Sequence, residues 1–234
     1  MSKEVTIPPS PTRVAKERGL VVLFLSLLFL LVSYPLFEGR ETGAVVLDIV
    51  LSVILVSSTY AVSHQRKVLV AALALGIPTF VSWWAVRVFA SPSVDVAGLS
   101  LSVVFFVFVI AVILRSMLSR GDVTVDVIFG AMSVYLLLGV TWTFIFAIVE
   151  ITNPGSFSFG SLGSEAIGST RHGNLQFLSY FSLVTLTTLG YGDITPIAPI
   201  ARSLASLEAI VGQLYIAVLV ARLVGMHISQ KQSR

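Results

Sequence analysis

The sequence predicts an all-α membrane protein, and three observations carry that reading. Of its 234 residues, 56% are hydrophobic and only 12% are charged, where a soluble domain carries about 25% charged residues. Six apolar segments approach or exceed the roughly 20 residues a helix needs to cross the hydrocarbon core. The basic residues collect in alternate loops between these segments, as membrane topology requires. The same composition narrows the function classes. There is no cysteine, so thiolate metal sites, disulfides and cysteine nucleophiles are excluded. The net charge of +3 is small, and no nucleic-acid partner is expected.

Residues 1–19 are polar, carry Lys3, Arg13, Lys16 and Arg18, and contain Pro8, Pro9 and Pro11. They read as an extended or disordered arm ahead of an uncleaved first span, because no small-x-small cleavage site follows the first apolar run. The six spans are expected at Leu20–Phe37, Gly43–Ser63, Val68–Ala90, Val94–Leu118, Val123–Ile151 and Pro199–His227. Between the last two lies a shorter apolar piece, Asn174–Thr188. At 1.5 Å per residue it reaches only about 20 Å, too little to span, so it reads as a re-entrant helix. Irregular backbone at membrane depth persists only beside protein or a water-filled path. Residues 152–173 are rich in Gly and Ser and read as a loop with little order.

Charge sets the orientation. Lys3, Arg13, Lys16 and Arg18, then Arg66 and Lys67, then Arg115 and Arg120, then Arg222, Lys231 and Arg234 all fall on one side of a six-span chain. That side is the cytoplasm, which places both termini there. The opposite loops hold Arg40, Arg171 and Arg202 against Glu38, Glu41, Asp95 and Glu165.

The most informative stretch is Thr187–Asp193, Thr-Thr-Leu-Gly-Tyr-Gly-Asp, set between the re-entrant piece and the last span. Successive carbonyls aim at one axis only if the backbone adopts angles that side-chain-bearing residues avoid, and glycine recurs at Gly190 and Gly192. This block resembles the selectivity filter of potassium channels, with Leu189 where Val is usual. The resemblance is most specific over Leu175–Val224 and extends in general layout to all six spans. It implies a four-helix voltage-sensor-like bundle over 20–120, followed by a two-helix pore domain over 121–230 with a re-entrant pore helix and filter. It also implies K⁺, as permeant ion and not as cofactor, held by the carbonyls of Thr188, Leu189, Gly190 and Tyr191, with Gly192 completing the filter. Thr187, Asp193 and Tyr180 would support it. One filter strand per chain implies a homotetramer in the bilayer.

The departures from the family are specific. Its two pore-helix Trp residues are replaced by Tyr180 and Phe181, and the Glu that some members pair with the Asp after the filter is Val184. Tyr180 is then the candidate donor to Asp193. Leu189 keeps open a second reading, a weakly selective monovalent cation channel. Gly212, twenty residues after Gly192, stands near the family's gating hinge, although close helix packing explains a small residue equally well.

Ionisable groups at membrane depth need a reason. Glu208 faces either a cavity or a neighbouring helix. Asp48 and Arg87 stand at matching depth and form a candidate intramembrane pair. The fourth span has no basic residue over Val94–Leu114, so conventional voltage gating is not expected. No nucleotide-binding or calcium-binding regulatory domain is expected after the sixth span, and a bacterial inner membrane suits the short loops. An intramembrane enzyme is disfavoured: His64 and His172 fall in expected loops, His227 ends the last span, and no Gly-x-Ser-x-Gly occurs. A secondary transporter is disfavoured because only one half is interrupted.

Overall fold

Apolar runs of this length bury every backbone donor and acceptor only by coiling, and the chain is helical almost throughout. The computed structural model describes residues 11–36, 41–62, 66–89, 91–119, 124–160 and 171–232. Seven helices run in order: α1 Pro11–Leu36, α2 Glu41–Val62, α3 Arg66–Val88, α4 Pro92–Leu118, α5 Val125–Thr152, α6 Arg171–Leu186 and α7 Pro199–Gln232. Two short strands, β1 (Phe157–Ser158) and β2 (Thr195–Pro196), pair antiparallel.

Among the described residues, four helices are long and apolar enough to cross a membrane by length and composition: α3, α4, α5 and α7. In α1 and α2 the apolar stretches among the described residues are shorter, Gly19–Val32 and Asp48–Val62. Helix α6 is 16 residues long. Its first turn starts at Arg171, three residues earlier than expected, so His172 lies on a helix and not in a loop.

Two expectations are corrected. The arm expected over residues 1–19 is helical from Pro11 onward. A proline in the first helical turn loses no hydrogen bond, since its N–H would be an orphan there; a proline signal for an arm was therefore a helix start. The loop after α5 is ordered over 153–160. Both carboxylate oxygens of Glu150 accept backbone N–H groups, from Gly155 at 2.8 Å and Phe157 at 3.1 Å. These bonds fold the chain back so that β1 meets β2. Residues 161–170 lie outside the described residues.

Helix α5 is the hub. It packs on α1, α4, α6 and α7. Helices α1 to α4 pack consecutively, and the Trp83 indole N–H donates to Ser102 Oγ at 2.9 Å across α3 and α4. The core is continuous from Leu23 and Ile54 through Phe105, Phe106 and Val109 to Phe146 and Leu178. Three rings join α5, β1 and α6: Phe146–Phe181 at 5.1 Å, Phe157–Phe181 at 5.3 Å and Phe146–Phe157 at 5.5 Å, all edge to face. Edge-to-face rings gain beyond their buried area.

Candidate functional site

The site grows from the C-terminal end of α6, where helical carbonyls must find new partners. Leu189 N–H donates to Val184 O at 2.9 Å and Thr188 N–H to Thr185 O at 2.9 Å. These are the two bonds of a Schellman cap, whose C′ residue takes a left-handed conformation and is usually glycine. Here C′ is Thr188, with φ +58°. A β-branched residue in that region is a genuine outlier, and such strain, about 1–3 kcal/mol, gathers at functional sites. No residue type announces this strain in advance, because threonine is not a left-handed residue by habit.

The left-handed conformation then recurs at every second residue: Thr188 at +58°, Gly190 at +57° and Gly192 at +79°. Alternating handedness turns successive peptide planes to the same side of a strand. The carbonyls of Leu183, Val184, Thr185 and Leu186 all accept hydrogen bonds. Those of Thr188, Leu189, Gly190, Tyr191 and Gly192 accept none among the described residues. The segment 187–193 is exposed throughout, with Leu189 at 55% and Tyr191 at 66%. It lies against the chain's helices only at its two ends.

Helix α7 seats the inner end. A Cβ built on Gly212 would stand 2.4 Å from Leu186 O and 2.9 Å from Leu186 Cδ1. Gly212 is therefore the point where the end of α6 rests on α7, and close packing explains the glycine. The Leu186 carbonyl also accepts from Tyr135 Oη at 3.3 Å, and Tyr135 stacks on Tyr215, whose hydroxyl donates to Ala131 O at 2.7 Å. Gln213 Nε2 reaches Thr188 Oγ1 at 3.4 Å. One turn before Gly212, Glu208 is fully buried and meets Ser182 of α6. Of the two placements open for Glu208, the chain adopts the helix-facing one.

The outer end is held by Asp193. Tyr180 Oη donates to Asp193 Oδ2 at 2.6 Å, the contact expected from the sequence, and Ile194 N–H donates to Asp193 Oδ1 at 2.9 Å. The Tyr180 hydrogen bond, foremost, holds the Asp193 carboxyl below the ordinary carboxylate range. Beyond it, Ile197 N–H donates to Ser156 O at 2.7 Å, tying the segment to the turn that Glu150 folds.

Asp48, Arg87 and Arg222 stand apart from this site. Asp48 is buried on α2 and lines a cavity of about 160 Å³ with Trp83, Gln176 and Tyr180. The Arg87 side chain lies outside the described residues, so the proposed pair is not seen. Arg222, read from the sequence as a topological anchor, donates to Met117 O at 3.0 Å and Leu118 O at 2.6 Å. A guanidinium on the last carbonyls of α4 suits the negative end of that helix, and it ties α7 to α4.

After a short helix, then, the chain carries a left-handed alternation whose carbonyls accept no hydrogen bond among the described residues and whose base is seated on Gly212. Residues 168–228, about a quarter of the chain, match the family described as Ion channel. A stretch of 87 residues, 35% of this chain, is 37% identical to the Inward rectifier potassium channel Kirbac3.1 of Paramagnetospirillum magnetotacticum. That match covers 29% of the relative's length, so the chain spans under a third of the curated relative it matches. No solved structure matches the chain. The two matches support a potassium channel family and point to a channel, not an enzyme.

Proposed function

We propose that the chain is one subunit of a homotetrameric, potassium-selective channel of a cell membrane. Potassium is held in transit by the backbone carbonyls of Thr188, Leu189, Gly190 and Tyr191, and Gly192 gives the strand its last turn. The observation that carries this reading is the left-handed φ at residues 188, 190 and 192, on an exposed strand whose carbonyls no hydrogen bond claims. Peptide oxygens in that alternation face one side, and four copies around an axis replace an ion's hydration shell.

A single subunit leaves this strand open on one face, which favours an assembly. Helix α7 presents Leu207, Ile210, Leu214 and Val218, all about half exposed or more, on the side away from Glu208 and Gly212. This stripe suits neighbouring subunits. Helices α1 to α4 form a sensor-like bundle attached through α5, and α4 has no basic residue over Val94–Leu114. Such a helix carries no charge to move through the field, so the channel opens without conventional voltage sensing. Basic loop charge places both termini in the cytoplasm of a bacterial inner membrane. The outer helix, pore helix, filter and inner helix then correspond to α5, α6, residues 187–193 and α7.

The experiment is a potassium flux assay on the purified chain in liposomes, with Gly192→Ala as the control. The wild type is expected to pass K⁺ down its gradient and to reverse near the K⁺ equilibrium potential in mixed K⁺ and Na⁺. Gly192→Ala is expected to lose flux, since φ +79° strains any side chain there. Equal K⁺ and Na⁺ passage would select the weakly selective channel instead. No flux from a tetrameric wild type would overturn the reading.

A further inference from the structure

We propose that Glu208 is a positioning residue held as a neutral carboxylic acid, whose proton joins the pore helix to the inner helix behind the filter. The inference deepens the reading of residues 188–192 as a filter and rests on it for its functional half.

The case is one of proton bookkeeping. Glu208 on α7 is 0% exposed. Its Oε1 lies 2.5 Å from Ser182 Oγ on α6, and Ser182 Oγ lies 2.8 Å from Gly139 O on α5. A serine hydroxyl owns one proton, a carbonyl owns none, and an ionised carboxylate owns none. If Glu208 were a carboxylate, one serine proton would have to serve both short contacts. The other would then press two lone-pair oxygens together. If Glu208 carries a proton, each contact has its own donor: Glu208 donates to Ser182, and Ser182 donates to Gly139. The 2.5 Å separation sits at the short end for an O–H···O bond.

The surroundings agree. Glu208 Oε2 has no hydrogen-bond partner among the described residues, and Glu208 forms no ion pair among them. An uncompensated buried charge is far costlier than an uncompensated carbonyl oxygen. The titratable groups that face Glu208 are few. From α5 comes Tyr135, close enough to interact electrostatically, with its hydroxyl committed to Leu186 O. From α6 comes only the non-titrating hydroxyl of Ser182, and α7 itself carries Tyr215, committed to Ala131 O. No cation among them offsets a charge.

The placement gives this proton a consequence. Ser182 lies one helical turn before Leu186, and Glu208 one turn before Gly212, so the bond stands directly behind the seat on which the strand begins. The Glu208–Ser182–Gly139 chain joins three helices at one point. Removing its proton leaves between them a buried charge that no cation among the described residues offsets.

Infrared difference spectra of purified wild type against E208Q, in lipid at neutral pH, read the protonation directly. A protonated-carboxyl band present in wild type and absent in E208Q is expected. Loss of carboxylate bands alone on substitution would overturn the inference. In S182A the protonated-carboxyl band is expected to shift, because its acceptor is gone; an unmoved band would equally overturn it. In the flux assay, E208Q keeps an amide donor and should keep wild-type K⁺/Na⁺ discrimination. E208M fills the volume without a donor and should lower that discrimination about tenfold, the scale of one lost buried hydrogen bond. Wild-type discrimination in E208M would refute the positioning role. If the wild type itself passes no potassium, the channel reading fails, while the infrared band still decides the protonation.

Discussion

Gly212→Ala separates two uses of a glycine by the sign of its effect. If Gly212 served as a free hinge, alanine would meet open space and strengthen α7 by about 1 kcal/mol, the helix-propensity difference. The structure predicts the opposite. The new Cβ would lie 2.4 Å from the Leu186 carbonyl oxygen, where real contacts keep at least 3.0 Å. Backbone cannot swing aside as a side chain can, so α6 and α7 must part by roughly 0.6 Å or strain in place. Overpacking of this kind costs about 1–3 kcal/mol. The displaced atom belongs to the last residue of α6, two residues before Thr188, so the strain passes to the start of the 187–193 segment. The assay has two arms: thermal unfolding of the purified protein in detergent, and reversal potential in mixed K⁺ and Na⁺. Gly212→Ala should lower the unfolding midpoint and weaken selectivity together. A raised midpoint with unchanged selectivity would refute the packing argument and favour the hinge.

Three further outcomes follow from contacts at the outer end. Tyr180 holds Asp193 ionised below the usual carboxylate range, so the stabilisation it gives is present above the ordinary carboxylate pKa and is lost as pH falls through the lowered value. Y180F lets Asp193 rise toward that ordinary value, and acid-induced loss of flux should begin at a higher external pH than in wild type; superimposable acid profiles would count against the bond. E150A removes the acceptor for two backbone N–H groups, and amide exchange at Gly155 and Phe157 should quicken about tenfold or more, a change hydrogen-exchange mass spectrometry resolves. F181A empties one corner of the three-ring cluster and should cost about 3–5 kcal/mol; a loss under about 1 kcal/mol in a denaturation series would show that the rings are not one packing unit.

Much of the site was legible in sequence because its chemistry is local. Glycine at 190 and 192 marks left-handed backbone, and a short apolar run before it marks a helix that cannot span. Tyr180 and Asp193 stand close in the chain, and a carboxylate beside an exposed strand asks for a donor. What escaped was set by geometry between distant residues. Ser182 finds Glu208 across 26 residues, and Arg222 finds the end of α4 across more than 100. Nothing in composition fixes such meetings. Glu150 was read as part of a span, since its role depends on where the chain turns after α5. Thr188 was read as a ligand, not as a helix cap, because its left-handed angle is imposed by the Schellman bonds and not by its own preference. The α1 start was misread because proline serves both helix starts and extended arms.

The claim on which the rest depends is that peptide oxygens of residues 188–191, from four chains, bind a monovalent cation on a shared axis. Anomalous diffraction from crystals of the assembled protein grown with thallium, a potassium surrogate, tests it most directly. Density is expected in a single file on a four-fold axis, between successive layers of the Thr188, Leu189, Gly190 and Tyr191 carbonyls. Thallium density elsewhere, or an assembly in which these carbonyls face lipid or protein and no axis passes between them, would contradict it.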